Sequence, residues 1–251
     1  MSGSIARLED VSLSFGERIV LKNCTLDIVE GATTCIIGLS GAGKSTILRL
    51  IDGLVKPDRG HVYVRTTDIC HIPEFQLNEI RRKISLSFQF AALLDSLSVG
   101  ENVALPLREH TTLSEHEIRR IVADALESVG LAHAYDNLPS ELSGGMLKRA
   151  GFARAIVMRP ELILYDEPTT GLDPIVTHLI TDTILRLRKK LNGTAVVISH
   201  DLEAIFRMAD YVAMLFEGAI IAYDTVEGIK SSINPIVRQF LEGSEVGPIP
   251  L

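Results

Sequence analysis

One octapeptide constrains this chain more than any other feature. Gly38-Leu39-Ser40-Gly41-Ala42-Gly43-Lys44-Ser45 fits the pattern G-x-x-x-x-G-K-[ST]. Before it, residues 33–37 form a short β-prone run typical of a strand buried on both faces. After it, residues 45–54 carry a helical pattern stopped by Pro57. Glycines let backbone N–H groups curl around a phosphate where a side chain would collide. Those groups, with the helix N-terminus that follows, make an anion site. The expected phosphate set is Gly38, Ser40, Gly41, Gly43, Lys44, Ser45 and Thr46. Lys44 is expected on the β- and γ-phosphates of a nucleotide, and the Ser45 hydroxyl on Mg²⁺.

A second chemical element sits far downstream. Leu162-Ile163-Leu164-Tyr165 reads as a core strand, and Asp166-Glu167 are delivered at its C-terminal end, where α/β sites form. Alone, such a strand end is commonplace. Downstream of a phosphate loop, Asp166 is expected to hold Mg²⁺ through water and Glu167 to act as general base on an attacking water.

The rest of the chain supports one α/β domain. Residues 5–15, 20–29, 61–64 and 84–88 read as strands, and the character turns helical from about 91 to 160. The clearest helix opens on Ser114 with Glu117 three residues on. Its Ile118, Ile121, Val122, Ala125, Leu126 and Val129 share one face, and Gly130 ends it. A second helix is expected from Ser143 to Val157. Further strands and helices alternate at 162–165, 175–191, 194–199 and 201–209, and 211–216 pairs with 219–223 across Glu217-Gly218. That order points to a largely parallel sheet covered by helices, with the central helical block inserted.

Composition narrows the function classes. The 251 residues are 46% apolar and 23% charged, which argues against disorder. A formal net charge of −7 disfavours nucleic acid as a partner. Cys24, Cys35 and Cys70 lack metal or disulfide spacing and read as small buried apolar residues. No secretory signal is expected at the start. The most apolar stretch, 211–223, is shorter than the roughly 20 residues of a membrane helix and is broken by Glu217-Gly218. A membrane function would need its span from a partner.

Leu142-Ser143-Gly144-Gly145-Met146 names the class. It resembles the LSGGQ signature of ABC ATPases, with Met146 where Gln is usual. Other family motifs follow in order: Gln89 matches the Q-loop, Asp173 the D-loop and His200 the switch histidine, while Phe15 stands where an aromatic stacks on adenine. Taken singly, Gln89 fits a surface amide, His200 a neighbour of a helix cap and Phe15 a core aromatic. The resemblance implies an α/β P-loop NTPase fold, an ABC nucleotide-binding domain with an antiparallel β subdomain and an inserted helical subdomain. It divides the single domain into a core with the β subdomain (1–90 and 161–225), the helical subdomain (91–160) and a C-terminal extension (226–251). It implies ATP and Mg²⁺, the metal held by Ser45, Gln89 and Asp166, with Glu167, His200 and Gln89 catalytic. It also implies a homodimer in which Ser143, Gly144 and Gly145 close over ATP held by the opposite subunit.

The run Phe88-Gln89-Phe90-Ala91-Ala92-Leu93-Leu94-Asp95-Ser96-Leu97, with Glu101-Asn102-Val103 and the Met of the signature, looks like the ATPases of Mla-type, Mce-associated lipid transporters. That resemblance implies lipid traffic between envelope membranes, separate integral-membrane permease subunits, an Mce-type lipid-binding protein and a place on the cytoplasmic face of the inner membrane. A small-solute importer and a soluble ABC ATPase of iron–sulfur cluster assembly remain alternatives. Ala91, Ala92, Leu93, Leu94 and Leu97 could line a groove for a permease helix or pack the helical subdomain. The tail from 243 to 251 reads as disordered, with a faint resemblance to extensions that join neighbouring Mla ATPases.

Overall fold

The computed structural model describes residues 3–87 and 91–249. In chain order its elements are β1 (Ser4–Phe15), β2 (Arg18–Val29), β3 (Thr33–Ile37), α1 (Lys44–Ile51), β4 (Arg59–Val64), β5 (Thr67–Asp68), α2 (Glu74–Arg81) and β6 (Ile84–Ser87). The helical stretch holds α3 (Val99–His110), α4 (Glu115–Ser128) and α5 (Gly144–Ile156). Then come β7 (Leu162–Asp166), α6 (Pro174–Leu191), β8 (Thr194–Ile198), α7 (Leu202–Met208), β9 (Tyr211–Phe216), β10 (Ala219–Thr225), α8 (Val226–Lys230) and α9 (Pro235–Glu242).

Two sheets result. Alternating sequences make an antiparallel sheet in the order β2-β1-β4-β5. The continuous apolar runs make a larger sheet, β10-β9-β3-β8-β7-β6, parallel except for β10. Every residue of β3 and β8 is buried, as expected of parallel strands covered on both faces. Successive β3 side chains serve different cores. Cys35 and Ile37 pack with the helices α3 to α7, while Ile36 packs with α1 and the antiparallel sheet. Register places Ile36 beside Ile198 and Ile198 beside Asp166, so β3, β8 and β7 end level with one another.

α3 and α4 both open with capping boxes, Ser98 with Glu101 and Ser114 with Glu117, satisfying N–H groups that the first turn leaves free. The structure departs from the sequence reading in several places. α1 stops at Ile51, not Leu54, because Gly53 turns the chain at φ +68° well before Pro57. The helical stretch does not begin at Ala91. Ala91 and Ala92 take left-handed backbone (φ 56° and 48°), and Arg154 holds both carbonyls at 2.7 Å. Within the 91–97 run the two roles divide: Ala91 and Leu93 pack inward, whereas Ala92 and Leu94 are exposed.

The tail is also ordered as far as it is described. Gln239 of α9 is buried, its amide oxygen accepting from Ile249 N at 2.7 Å and its nitrogen donating to Ser244 O at 3.2 Å. Ile249 is buried in turn. A buried amide with backbone partners fixes the tail where apolar periodicity is missing. The three cysteines are buried and free, as expected.

Candidate active site

The level strand ends gather the sequence motifs on one edge of the large sheet. After β3 the loop turns through Gly38, Gly41 and Gly43, all at positive φ. At Gly38 a Cβ would stand 2.2 Å from Leu215 O, so only glycine fits between the loop and β9. The turn feeds α1, whose first residue is Lys44. Lys44 Nζ donates to Gly38 O and Leu39 O at 2.8 and 2.9 Å, folding over the loop it closes. Burial pulls its pKa down, and Glu167 and Asp166 oppose that by stabilising the ammonium.

Asp166 and Glu167 arrive from β7. Ser45 Oγ donates to Asp166 Oδ1 at 2.9 Å across 121 residues of sequence. A hydroxyl and a carboxylate converging here form the all-oxygen donor set that suits Mg²⁺. Glu167 sits in left-handed backbone (φ 51°), a conformation that costs about 1 kcal/mol or more for a non-glycine residue. Its amide N–H donates to Ile198 O, and both carboxylate oxygens are engaged. His200 Nε2 lies 2.7 Å from Oε1, and Thr170 Oγ1 donates to Oε2 at 2.8 Å. His200 follows β8, which is why its short reach to Glu167 depends on the shared register.

These groups surround one cavity of about 450 Å³. Its wall brings together Phe15, Ser40, Gly41, Gly43, Lys44, Ser45, Thr46, Glu167 and His200. Phe15, half exposed, stands at the end of the β1–β2 hairpin, paired with Arg18. Gly38 and Asp166 lie just behind the wall through their bonds to Lys44 and Ser45. Gln89 lies outside the described residues.

Ser143, Gly144, Gly145 and Asp173 do not line this cavity. Ser143 caps α5, its hydroxyl accepting from Met146 N at 3.4 Å. Gly145 has Val176 of α6 against it, where a Cβ would meet Cγ1 at 2.5 Å. Asp173 caps α6, accepting from Ile175 N and Val176 N at 2.9 and 3.0 Å. Three residues that sequence reasoning missed also belong to the site. Arg18 lines the cavity and donates to Gly41 O, and Thr170 orients Glu167. Lys148 of α5 donates to Thr170 O at 2.7 Å and Glu167 O at 3.4 Å, tying the signature helix to the carboxylate's own backbone. Arg18 was foreseeable from the hairpin, since a two-residue turn pairs it with Phe15; Thr170 and Lys148 left no local signal.

A phosphate loop at the switch edge of a parallel sheet, a carboxylate pair beside it and a capped glycine helix start outside it define an ATP-hydrolysing cassette. The chain belongs to the ABC transporter family, whose model matches residues 21–170. It is 41% identical to the intermembrane phospholipid transport system ATP-binding protein MlaF of Haemophilus influenzae over 249 residues, 99% of this chain and 94% of that one. It is 38% identical to the probable ribonucleotide transport ATP-binding protein mkl of Mycobacterium tuberculosis, over 98% of this chain and 69% of that one. Its fold superposes with a TM-score of 0.80 on the dimeric, ADP- and phosphate-bound cassette MJ0796, at 33% identity and covering 88% of this chain and 98% of that one.

Proposed function

We propose that this ATPase energises the movement of phospholipid between envelope membranes, as one of two identical cassettes beneath separate permease subunits. The observation that carries this reading is 41% identity, over 99% of this chain and 94% of the relative, with MlaF, a protein named for intermembrane phospholipid transport. No helix among the described residues is long and apolar enough to cross a membrane, and the reading assigns the pathway for lipid to a partner. We place the chain at the cytoplasmic face of the inner membrane, with an Mce-type lipid-binding protein in the same assembly. On this reading residues 91–160 form the subdomain that presents the signature, and 226–251 an extension.

The geometry supports the following roles. Phe15 offers its exposed face to adenine. The 38–46 loop, Lys44 and the α1 N-terminus hold the β- and γ-phosphates. Ser45 and Asp166, with Gln89, are the residues that would hold Mg²⁺, which shields phosphate charge when bound. Glu167 takes the proton of the water that attacks the γ-phosphorus as the bond to the ADP oxygen breaks. Thr170 and His200 fix both its oxygens, and His200 adds a donor near the phosphate being transferred. Ser143, Gly144 and Gly145 of a second copy supply the N–H groups that close the site, with Asp173 at the same interface. Dimerisation in MJ0796 supports this composite reading.

The name of the mycobacterial relative supports a second reading, in which the cargo is a ribonucleotide. Affinity purification of the chain from detergent-solubilised membranes, with proteins and small molecules identified by mass spectrometry, separates the two. Phospholipid co-purifying with a polytopic permease and an Mce-type protein is the expected result. Nucleotide cargo with a permease would favour the second reading, and recovery of soluble partners alone would overturn transport.

A further inference from the structure

The antiparallel sheet carries a constellation that ATP hydrolysis does not use. His61 on β4, Asp68 on β5 and His71 just beyond it each offer one ligand atom, and these atoms lie within 4.8 Å of one another. We propose that these three side chains form a surface site for one late first-row divalent ion, of which Zn²⁺ is the natural occupant.

Chemistry selects the class of ion. Two imidazoles and one carboxylate are the donor set of a borderline cation and do not suit Mg²⁺ or Ca²⁺, which take oxygen. Preorganisation comes from the sheet. His61 Nδ1 lies 2.7 Å from Asp68 Oδ2, while Asp68 Oδ1 accepts from Cys70 N at 3.0 Å. The carboxylate is therefore aimed by a backbone N–H on Oδ1, while Oδ2 faces His61 Nδ1 across a hydrogen bond whose proton the ion would replace. His71 is exposed and its ring centroid lies 6.4 Å from that of His61, and water would complete the shell. Cys70 is not a fourth ligand: it is buried and its sulfur accepts from Val62 N.

The site also has a structural use. β5 is a two-residue edge strand paired to β4 at Tyr63–Asp68 and Val64–Thr67 only. An ion held by His61, Asp68 and His71 would add a clip to that edge at the start of the link to α2, beside the Ile69 N–Val62 O hydrogen bond of 2.8 Å.

The test uses untagged full-length chain stripped with chelator and titrated with Zn²⁺ by calorimetry in excess Mg²⁺, alongside His71→Ala and a His61→Ala/His71→Ala double variant. The expected result is one Zn²⁺ per chain, affinity reduced at least about tenfold in the single variant and absent in the double. Zn²⁺ should raise Tm of the unaltered chain and leave that of the double variant unmoved. Basal ATPase activity retained by both variants certifies their folding. Equal Zn²⁺ binding by the double variant, or no stoichiometric binding by the unaltered chain, overturns the site.

Discussion

The start of α1 and the start of α5 are both glycine-bearing helix N-termini, yet they are furnished in opposite ways. Around α1 stand Lys44, Arg18, Ser45, Asp166, Glu167 and His200, enough to hold a triphosphate and to move a proton. Around α5 there is a capping hydroxyl, Ser143, and an exposed Gly144. The basic residues of α5 turn elsewhere: Lys148 goes to Thr170 O and Arg149 to Val129 O at 2.9 Å. The same dipole and the same free N–H groups are therefore surrounded by charged and polar side chains in one place and left almost bare in the other, which on the proposed reading makes one a phosphate seat and the other a lid. On that reading, what α5 lacks a second copy of the chain supplies, and what α1 lacks is the lid.

The sharpest way to break this comparison is to remove chemistry from one start and closure from the other. Glu167→Gln should lower the ATPase rate by about 10²–10⁴ while ATP still binds, and an ATP-bound dimer should accumulate on gel filtration. A change in dimerisation with unaltered turnover would show that the carboxylate is not the base. Gly144→Glu places a like charge where the second copy's γ-phosphate must sit, and should cost about 10²–10³ in rate without weakening ATP binding by the monomer. Mixing the two inactive variants should restore hydrolysis, because a mixed dimer contains one site with an intact Glu167 and an intact signature. Failure of the mixture would place both motifs in one chain's site.

Smaller effects sharpen the contrast further. Lys44→Ala should weaken ATP by about 10- to 100-fold in the monomer, measured by fluorescent-nucleotide titration, the loss expected for hydrogen bonds to a charged group. A comparable loss from Ser143→Ala would erase the distinction between seat and lid. The other end of α1 tests its dipole. Asp52 caps that end, where a negative charge is unfavourable. Burial raises its carboxyl from 3.8 to about 6, despite attraction to Arg81. A raised carboxyl makes the folded state less stable as pH climbs from near 4 through about 6. Asp52→Asn should therefore add about 1–3 kcal/mol at pH 8, read by urea unfolding, with the gain fading toward pH 4. An equal gain at both pH values would trace it to packing instead.

How much of this was readable beforehand depended on how local each signal is. The phosphate loop, the Asp166-Glu167 strand end and the capped signature are contiguous strings whose residue types are dictated by one small geometry. α2 escaped notice because only Leu77 of its eight residues is buried, so no apolar stripe repeats. α9 and the tail escaped because their anchor is Gln239, a residue that reads as surface until its backbone partners are known. Lys148 and Thr170 act through space on Glu167, and no spacing in the chain announces that. The left-handed Ala91 and Ala92 are likewise set by Arg154, some sixty residues away, against their own preference.

The level register of β3, β8 and β7 has a consequence during synthesis. The loop, the Glu167 carboxylate and the histidine that share the cavity come from positions near 40, 167 and 200, and Gly38 is shaped to lie against Leu215. A growing chain holds no competent nucleotide seat until the strand containing Leu215 has emerged and inserted beside β3. ATP then binds only the finished sheet, and by mass action it favours that sheet over every partly built one. In this protein the fuel doubles as an inspector, taken up only by chains in which β9 already lies beside β3.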